Sequence, residues 1–208
     1  FTNTYSSYEV GQNYNDVVNN GVSPAGLYLV GANFSNANFS NADFSNADLR
    51  NANFIDAILK ETNFENANLS GADLSDAKLS YANLSDANLS SATLIDTNLS
   101  RANLSDANLT YVLAYKTAYN VFTNLKYANL SGADLSYGNF GHTNFWAADL
   151  TYTTVIDADF NNADLRSTDF TGADLRGTNV DGTWRTFPDS IFCNTYMWHS
   201  LFITQEDC

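Results

Sequence analysis

Large apolar residues recur along this chain every five positions: Leu29, Phe34, Phe39, Phe44, Leu49, Phe54, Leu59, Phe64, Leu69 and onward to Leu109. Two residues before most of them stands alanine, as at Ala32, Ala37, Ala42, Ala47, Ala52 and Ala57, with Thr62 and Thr97 as occasional replacements. A second run with the same spacing extends from Leu125 to Val180. The two runs hold about 17 and about 12 units, enough for a solenoid. The other three positions of each unit are mostly Asn, Asp, Ser, Thr or Gly.

A period of five fits neither regular element. On an α-helix, at about 100° per residue, each unit would rotate the apolar site by about 140° and leave no buried face. In a flat strand, Ala and Leu two apart share a face, but the next Ala, three further on, falls on the opposite one. Both residues stay inside only if the backbone turns a corner in every unit. Small and large side chains then alternate within a narrow tube. The polar residues point outward, where Asn, Asp, Ser and Gly also suit tight turns.

The units Ala67-Asn68-Leu69-Ser70-Gly71, Ala72-Asp73-Leu74-Ser75-Asp76 and Ala173-Asp174-Leu175-Arg176-Gly177 resemble the A(D/N)LxX consensus of the pentapeptide-repeat family. The resemblance covers about three-quarters of the chain. It implies an all-β solenoid, a right-handed quadrilateral β-helix with four units per coil. Residues 20 apart should then stack in columns about 4.8 Å apart, making a rod of roughly 35–40 Å. Phe34 and Phe54 should stack on Leu74 and Leu94, and Phe140 on Phe160. Asn63, Asn83 and Asn103 should form an outward ladder.

On this reading residues 1–26 are an N-terminal cap, 27–181 the β-helix, irregular at 110–124, and 182–208 a C-terminal cap. Open β-helix ends expose core and sheet edges, so caps are expected. Tyr8 to Asn20 reads as a short amphipathic helix stopped at Gly21. The stretch from Asp16 through Pro24 to Phe34 resembles the lead-in of cyanobacterial members of the family. At the other end, Trp184, Phe187, Ile191, Phe192, Tyr196, Trp198, Leu201 and Phe202 supply an apolar plug.

The register slips once. Leu109 to Leu125 is one residue more than three units. A single added residue predicts a bulge or a longer corner. The segment carries Tyr111, Tyr115 and Tyr119, a candidate interaction loop. Gyrase-interacting members of the family project loops from the rod, so the resemblance allows a protruding loop for a partner; the alternative is a tolerated irregularity packed by its own aromatics.

The two cysteines, Cys193 and Cys208, both fall in the tail. The run Phe192-Cys193-Asn194-Thr195, followed by Asp207-Cys208, resembles the tail of exported cyanobacterial members, departing from it at Trp198-His199. A disulfide there would close a loop of about 15 residues and stabilise by about 3 kcal/mol. It would imply an oxidising compartment such as periplasm or thylakoid lumen. Free thiols and a metal pair are the alternatives, although two Cys with the distant His142 and His199 make a poor zinc site.

Charge narrows the partners. Nine Lys and Arg against 23 Asp and Glu give a formal charge of −14 in 208 residues. That balance argues against nucleic acid and anionic membrane; it permits a basic partner, or simply a soluble monomer kept apart by self-repulsion. The chain begins at Phe1 and its only methionine is Met197, so a preceding segment is expected. Asn-x-Ser/Thr triplets follow from the repeat itself and say little about glycosylation.

No catalytic constellation is evident, and no cofactor is expected. The one candidate for chemistry is a column of carboxylates. Asp56, Asp76 and Asp96 are 20 apart, as are the pairs Asp86 with Asp106 and Asp149 with Asp169. Stacked carboxylates could hold a divalent cation, or simply fan into water, where screened repulsion costs little. The chain thus reads as a non-catalytic, rigid acidic rod that binds an unidentified protein. The alternative, which the resemblance supplies, is a DNA mimic that binds and protects a type II topoisomerase.

Overall fold

The computed structural model describes residues 23–115, 122–182, 189–196 and 202–203. The helix expected over Tyr8 to Asn20 lies outside them.

Where Asn or Asp precedes the apolar residue, a five-residue unit accounts for all its backbone donors. In the unit Phe54 to Ile58, the Phe54 N–H donates to the Asp73 carbonyl of the next coil at 2.7 Å, and the Asp56 N–H to Ser75 at 3.0 Å. The Ile58 N–H donates back to Ala37 of the preceding coil at 2.8 Å, and the Ala57 N–H closes a turn onto Phe54 at 3.0 Å. The fifth donor, the Ile55 N–H, goes to the side-chain Oδ1 of Asn53 at 2.9 Å. No donor is left over, as a buried backbone requires. Asp56, third in the turn, has φ 59°. A positive φ there marks a type II turn and favours Gly or Asn. The polar consensus therefore has two causes. Asn or Asp before the apolar residue supplies a side-chain acceptor, and Asn, Asp or Gly after the turn tolerates the left-handed backbone.

Bridged residues recur every five positions and pair in parallel with partners 20 residues on: Asn33 with Asn53, Asn38 with Ile58, Asp43 with Asn63, Asp48 with Asn68. One coil is four units, hence quadrilateral. Each face contributes one bridged residue per coil, so the faces are columns of isolated bridges and not continuous strands. The tube is filled. Leu49, Phe54, Leu74, Leu104 and Leu135 are fully buried, as are Ala52, Ala77 and Ala133. Burying each Leu or Phe contributes about 1.5–3 kcal/mol.

The columns follow the expected pairings, with one change. Phe34 stacks on Phe54 at 4.8 Å and 21°, and Phe44 on Phe64 at 5.2 Å and 14°. Phe140 and Phe160 do meet, at 5.4 Å, but their planes cross at 69°. The Phe140 ring instead leans over Gly138, where the usual alanine β-carbon is missing. Threonines in alanine's place are satisfied inside the tube. Thr62 Oγ1 donates to the Phe39 carbonyl and Thr97 Oγ1 to that of Leu74, each at 2.8 Å. The asparagine ladder forms too: Asn83 Nδ2 donates to Asn63 Oδ1 at 3.0 Å, and Asn103 Nδ2 to Asn83 Oδ1 at 3.1 Å.

The register slip is larger than a single-residue bulge. Asn98 pairs with Asn124, Asn103 with Asn129 and Asn108 with Asp134, each 26 residues apart. That coil is six residues longer than its neighbours. A unit of five is one quarter of a coil, so surpluses of one and of six look alike in the five-residue phase. Val112 and Ala114 are buried in regular positions, and Leu113 bridges to Asn139. The surplus falls on 116–121, outside the described residues.

At the far end the ladder runs on into residues assigned by composition to the C-terminal cap. Asp169 pairs with Ile191 and Asp174 with Tyr196. Phe192 stacks on Phe170 at 5.2 Å and 6°, and the buried Thr195 donates from Oγ1 to the Phe170 carbonyl at 2.7 Å. Strand β1 (Thr195–Tyr196) then pairs antiparallel with β2 (Phe202–Ile203). A reversal of direction at the end of a parallel stack blunts an edge that would otherwise template further pairing.

Gly138 replaces alanine where the Phe140 ring folds back over the small position, and a β-carbon there would overlap Phe140 Cε2. Gly138→Ala should therefore destabilise by about 1–3 kcal/mol through overpacking. Adding Phe140→Leu should recover most of the loss, as read by thermal unfolding of both variants and the double mutant. Equal melting temperatures for Gly138→Ala and the parent would refute this packing account.

Candidate functional site

With the interior filled, any chemistry lies on the outward columns, and the four corners project furthest. Most corner residues are good left-handed formers. The corner of Asn36, Asp56, Asp76 and Asp96 is typical, with φ between 56° and 59° at Asp96, Asp56 and Asp76. The next corner along the chain differs. There the left-handed positions are Glu61, Tyr81, Arg101, Tyr127, Ala147 and Ser167, with φ of 58°, 63°, 60°, 59°, 53° and 55°. A left-handed backbone costs such residues about 1–2 kcal/mol each. Strain of this kind, held over several coils, points to a use.

The side chains along this corner form a ladder of rings and cations. Arg101 donates from a guanidinium N–H to the Tyr81 hydroxyl at 2.6 Å. Its Cζ lies 5.5 Å from the Tyr81 ring centroid and 5.3 Å from that of Tyr127. Lys126 Nζ stands 3.4 Å above the Trp146 ring and 4.9 Å from Tyr127, while the Arg166 Cζ is 5.8 Å from Trp146. The Tyr127 and Trp146 rings are themselves 5.7 Å apart. Backbone bonds hold the column in line: Tyr81 N–H to Ser100, Arg101 N–H to Lys126, Tyr127 N–H to Trp146 and Ala147 N–H to Arg166.

Charge is distributed unevenly. Arg50, Arg166 and Arg176 each clamp the aspartate two residues earlier, and the guanidinium beside it holds the carboxyl of Asp48, Asp164 or Asp174 below the usual range. Lys60 pairs with Glu61 at 3.1 Å. Among the described residues, Lys78, Arg101 and Lys126 make no salt bridge, though Lys126 also helps to lower the Asp164 carboxyl. All three lie on this corner or on the face leading into it, in a chain of net charge −14. We call it the basic edge. Sequence reasoning missed it. Its signal was Tyr81, Arg101 and Tyr127 in one column, which appears only when the slip is counted as six.

The residues singled out from sequence are placed as follows. Asp56, Asp76 and Asp96 do share one corner. Burial, and then the charges of Asp56, Asp96 and Asp73, raise the Asp76 carboxyl above its ordinary pKa. Among the described residues, however, no group of three or more His, Cys, Asp or Glu is arranged to hold a metal ion. Asp149 bridges directly to Asp169. Tyr111 sits at a regular corner, its ring stacked on Tyr137 at 5.0 Å and 12°. Tyr115 is half-buried where the surplus begins, and Tyr119 lies outside the described residues. Cys193 is not a free thiol. Cys208 and His199 lie outside the described residues, and His142 occupies a left-handed corner.

The family model for pentapeptide repeats matches residues 28–112 and 122–182 in overlapping copies, leaving out the stretch that holds the surplus. The chain belongs to the pentapeptide-repeat family. Its coil is accordingly right-handed, the hand that parallel crossovers take. Among solved structures it is similar to HetL, a pentapeptide repeat protein involved in heterocyst differentiation regulation from the cyanobacterium Nostoc sp. strain PCC 7120. Identity is 30% over 85% of this chain and 90% of that one, with a TM-score of 0.31. A pentapeptide repeat protein of the Arabidopsis thaliana thylakoid lumen is 29% identical over 62% of this chain and 71% of that one, with a TM-score of 0.35. Full-length QnrB1, a plasmid-mediated fluoroquinolone resistance protein, is 21% identical over 80% and 84%, also with a TM-score of 0.35. No curated protein sequence matches.

The raised Asp76 pKa makes a signed prediction. A carboxyl whose folded pKa exceeds its unfolded one takes up protons on folding, so its contribution to stability falls as pH rises through that window. Asp76→Asn keeps a residue suited to φ 59° and removes the charge. It should stabilise at pH 7 by about 0.5 kcal/mol and make no difference below the ordinary carboxyl range. Melting temperatures of both proteins at pH 7 and pH 3 check this; a gain that persists at pH 3 would rule out the electrostatic cause.

Proposed function

We propose that this protein is a non-catalytic binding rod that works outside the cytoplasm and holds a protein partner on a fixed outward column. The observation that carries this reading is the basic edge, where left-handed formers give way over successive coils to Tyr81, Arg101 and Tyr127. A filled tube has no interior to offer a substrate, whereas a column fixed by backbone bonds above and below is a ready-made docking line. The topoisomerase-binding reading finds less support, because the Arg101, Tyr127 and Lys126 stretch of this edge is unlike the anionic surface of duplex DNA.

The extracytoplasmic assignment rests on Cys193, read as paired with Cys208 across the tail. Thiol labelling of the denatured, unreduced chain should find no reactive cysteine; two thiols per chain would remove the assignment. The binding reading is tested by placing a photo-crosslinking amino acid at Tyr127 and, as a control, at Asp86 on a different corner. In extract from the source compartment, a discrete adduct is expected from the first position only. Absence of any adduct at Tyr127, or the same adduct from both positions, would count against it.

A further inference from the structure

We propose that the basic edge binds an extended acidic polypeptide segment carrying carboxylates at alternate residues. This deepens the binding-rod reading and rests on it. Three cations are disposed along the edge, the last of them already clamped to Asp164. Arg101, Lys126 and Arg166 belong to units joined by Arg101 N–H to Lys126, Tyr127 N–H to Trp146 and Ala147 N–H to Arg166. They therefore stand at coil heights of about 0, 5 and 14 Å. In an extended chain, alternate side chains share a face and recur about every 6.7 Å, so three of them span about 13 Å. The spans are similar, but at the far end a partner carboxylate must share the guanidinium that Asp164 already clamps, so Arg101 and Lys126 carry the attraction.

The partner's chemistry follows from what is already satisfied on the edge. Neither Arg101 nor Lys126 makes a salt bridge, although Lys126 lies near enough to Asp164 to help lower its carboxyl; Arg101 spends a single N–H on the Tyr81 hydroxyl and Lys126 lies over Trp146. Rings hold these cations in place but do not neutralise them, so anionic oxygen is the group they lack. A nucleic-acid strand fits less well. Single-strand recognition needs free ring faces for base stacking, whereas Tyr127 is approached by both Arg101 and Lys126, and Trp146 by both Lys126 and Arg166. The edge is also short, and the neighbouring corner carries Asp56, Asp76 and Asp96. At a screening length of about 8 Å those carboxylates repel a long polyanion that overruns the edge. A segment of about seven residues, which spans roughly 24 Å when extended, can lie along it.

The test uses the whole protein and a fluorescein-labelled heptapeptide with glutamate at its second, fourth and sixth positions. Fluorescence anisotropy should show saturable binding at 20 mM salt, weakened at least tenfold at 200 mM. Arg101→Gln with Lys126→Gln should weaken binding at least tenfold with an unchanged circular dichroism spectrum. Arg50→Gln with Arg176→Gln removes the same charge from a different corner and should leave binding within twofold. Equal losses in the two variants would reduce the effect to net charge and overturn the proposal. So would no binding, or tighter binding of a thymidine oligonucleotide or a heparin oligosaccharide. If the peptide fails while the Tyr127 crosslink to a native partner persists, the binding-rod reading stands and the acidic-segment assignment falls. Loss of the crosslink would remove both.

Discussion

Everything in this molecule depends on a left-handed residue at every fifth position. That residue lets the chain turn without stranding an amide, and the turn puts Ala and Leu or Phe on the same side of the backbone. The remaining donors then find acceptors one coil up, one coil down and on the preceding Asn or Asp side chain, as the unit Phe54 to Ile58 shows. Backbone satisfaction, core burial and the polar consensus are thus one constraint seen from three sides. A corner residue that cannot adopt positive φ endangers all three, which is why Asn, Asp and Gly dominate the corners.

That economy separates stability from function. The interior needs only small and large apolar groups in alternation, and Thr62 and Thr97 show that even a hydroxyl is accepted when a carbonyl of the coil below receives it. The corner side chains contribute little to the core, so single corners can change composition without altering the coil. The aspartate corner and the basic edge are neighbours on one scaffold with the same axial spacing and opposite chemistry. The second carries residues that the backbone disfavours, as do other corners at Tyr111, Tyr137 and Tyr152. Interaction along its own column offsets part of that cost, through the Arg101 to Tyr81 hydrogen bond and the Lys126 contact with Trp146.

The fold was legible from sequence because period five is compatible with so few backbones. The apolar columns, the asparagine ladder and the aspartate column all follow from it once the winding is fourfold. The edge was not legible, for a definite physical reason. A whole unit is a quarter turn of the coil, so a surplus of six preserves the five-residue phase of a surplus of one while rotating everything after it by one corner. Counted as one, the slip places Tyr127 and Trp146 away from Arg101. Counted as six, as the Asn98 to Asn124 bridge requires, it brings them into one line. Local periodicity fixes which residues face outward, and only long-range register fixes which outward residues meet. Ring orientation was hidden too, since the crossed planes of Phe140 and Phe160 go with a ring that leans into the space left by Gly138.

The rigidity of the scaffold gives the edge its character. Ordering a long Arg or Lys side chain on binding costs about 1.5–2 kcal/mol of rotamer freedom. On this edge part of that ordering is already done, because Arg101 lies between two tyrosine rings and Lys126 between a tyrosine and a tryptophan. Their backbone positions are set by hydrogen bonds to the coils on either side, so the spacing of the charges is that of the coil itself. A flexible basic loop of equal charge would attract the same partners with less discrimination. A fixed line of cations selects those whose carboxylates repeat at a matching interval, and the excess negative charge elsewhere on the rod repels anions that extend beyond it.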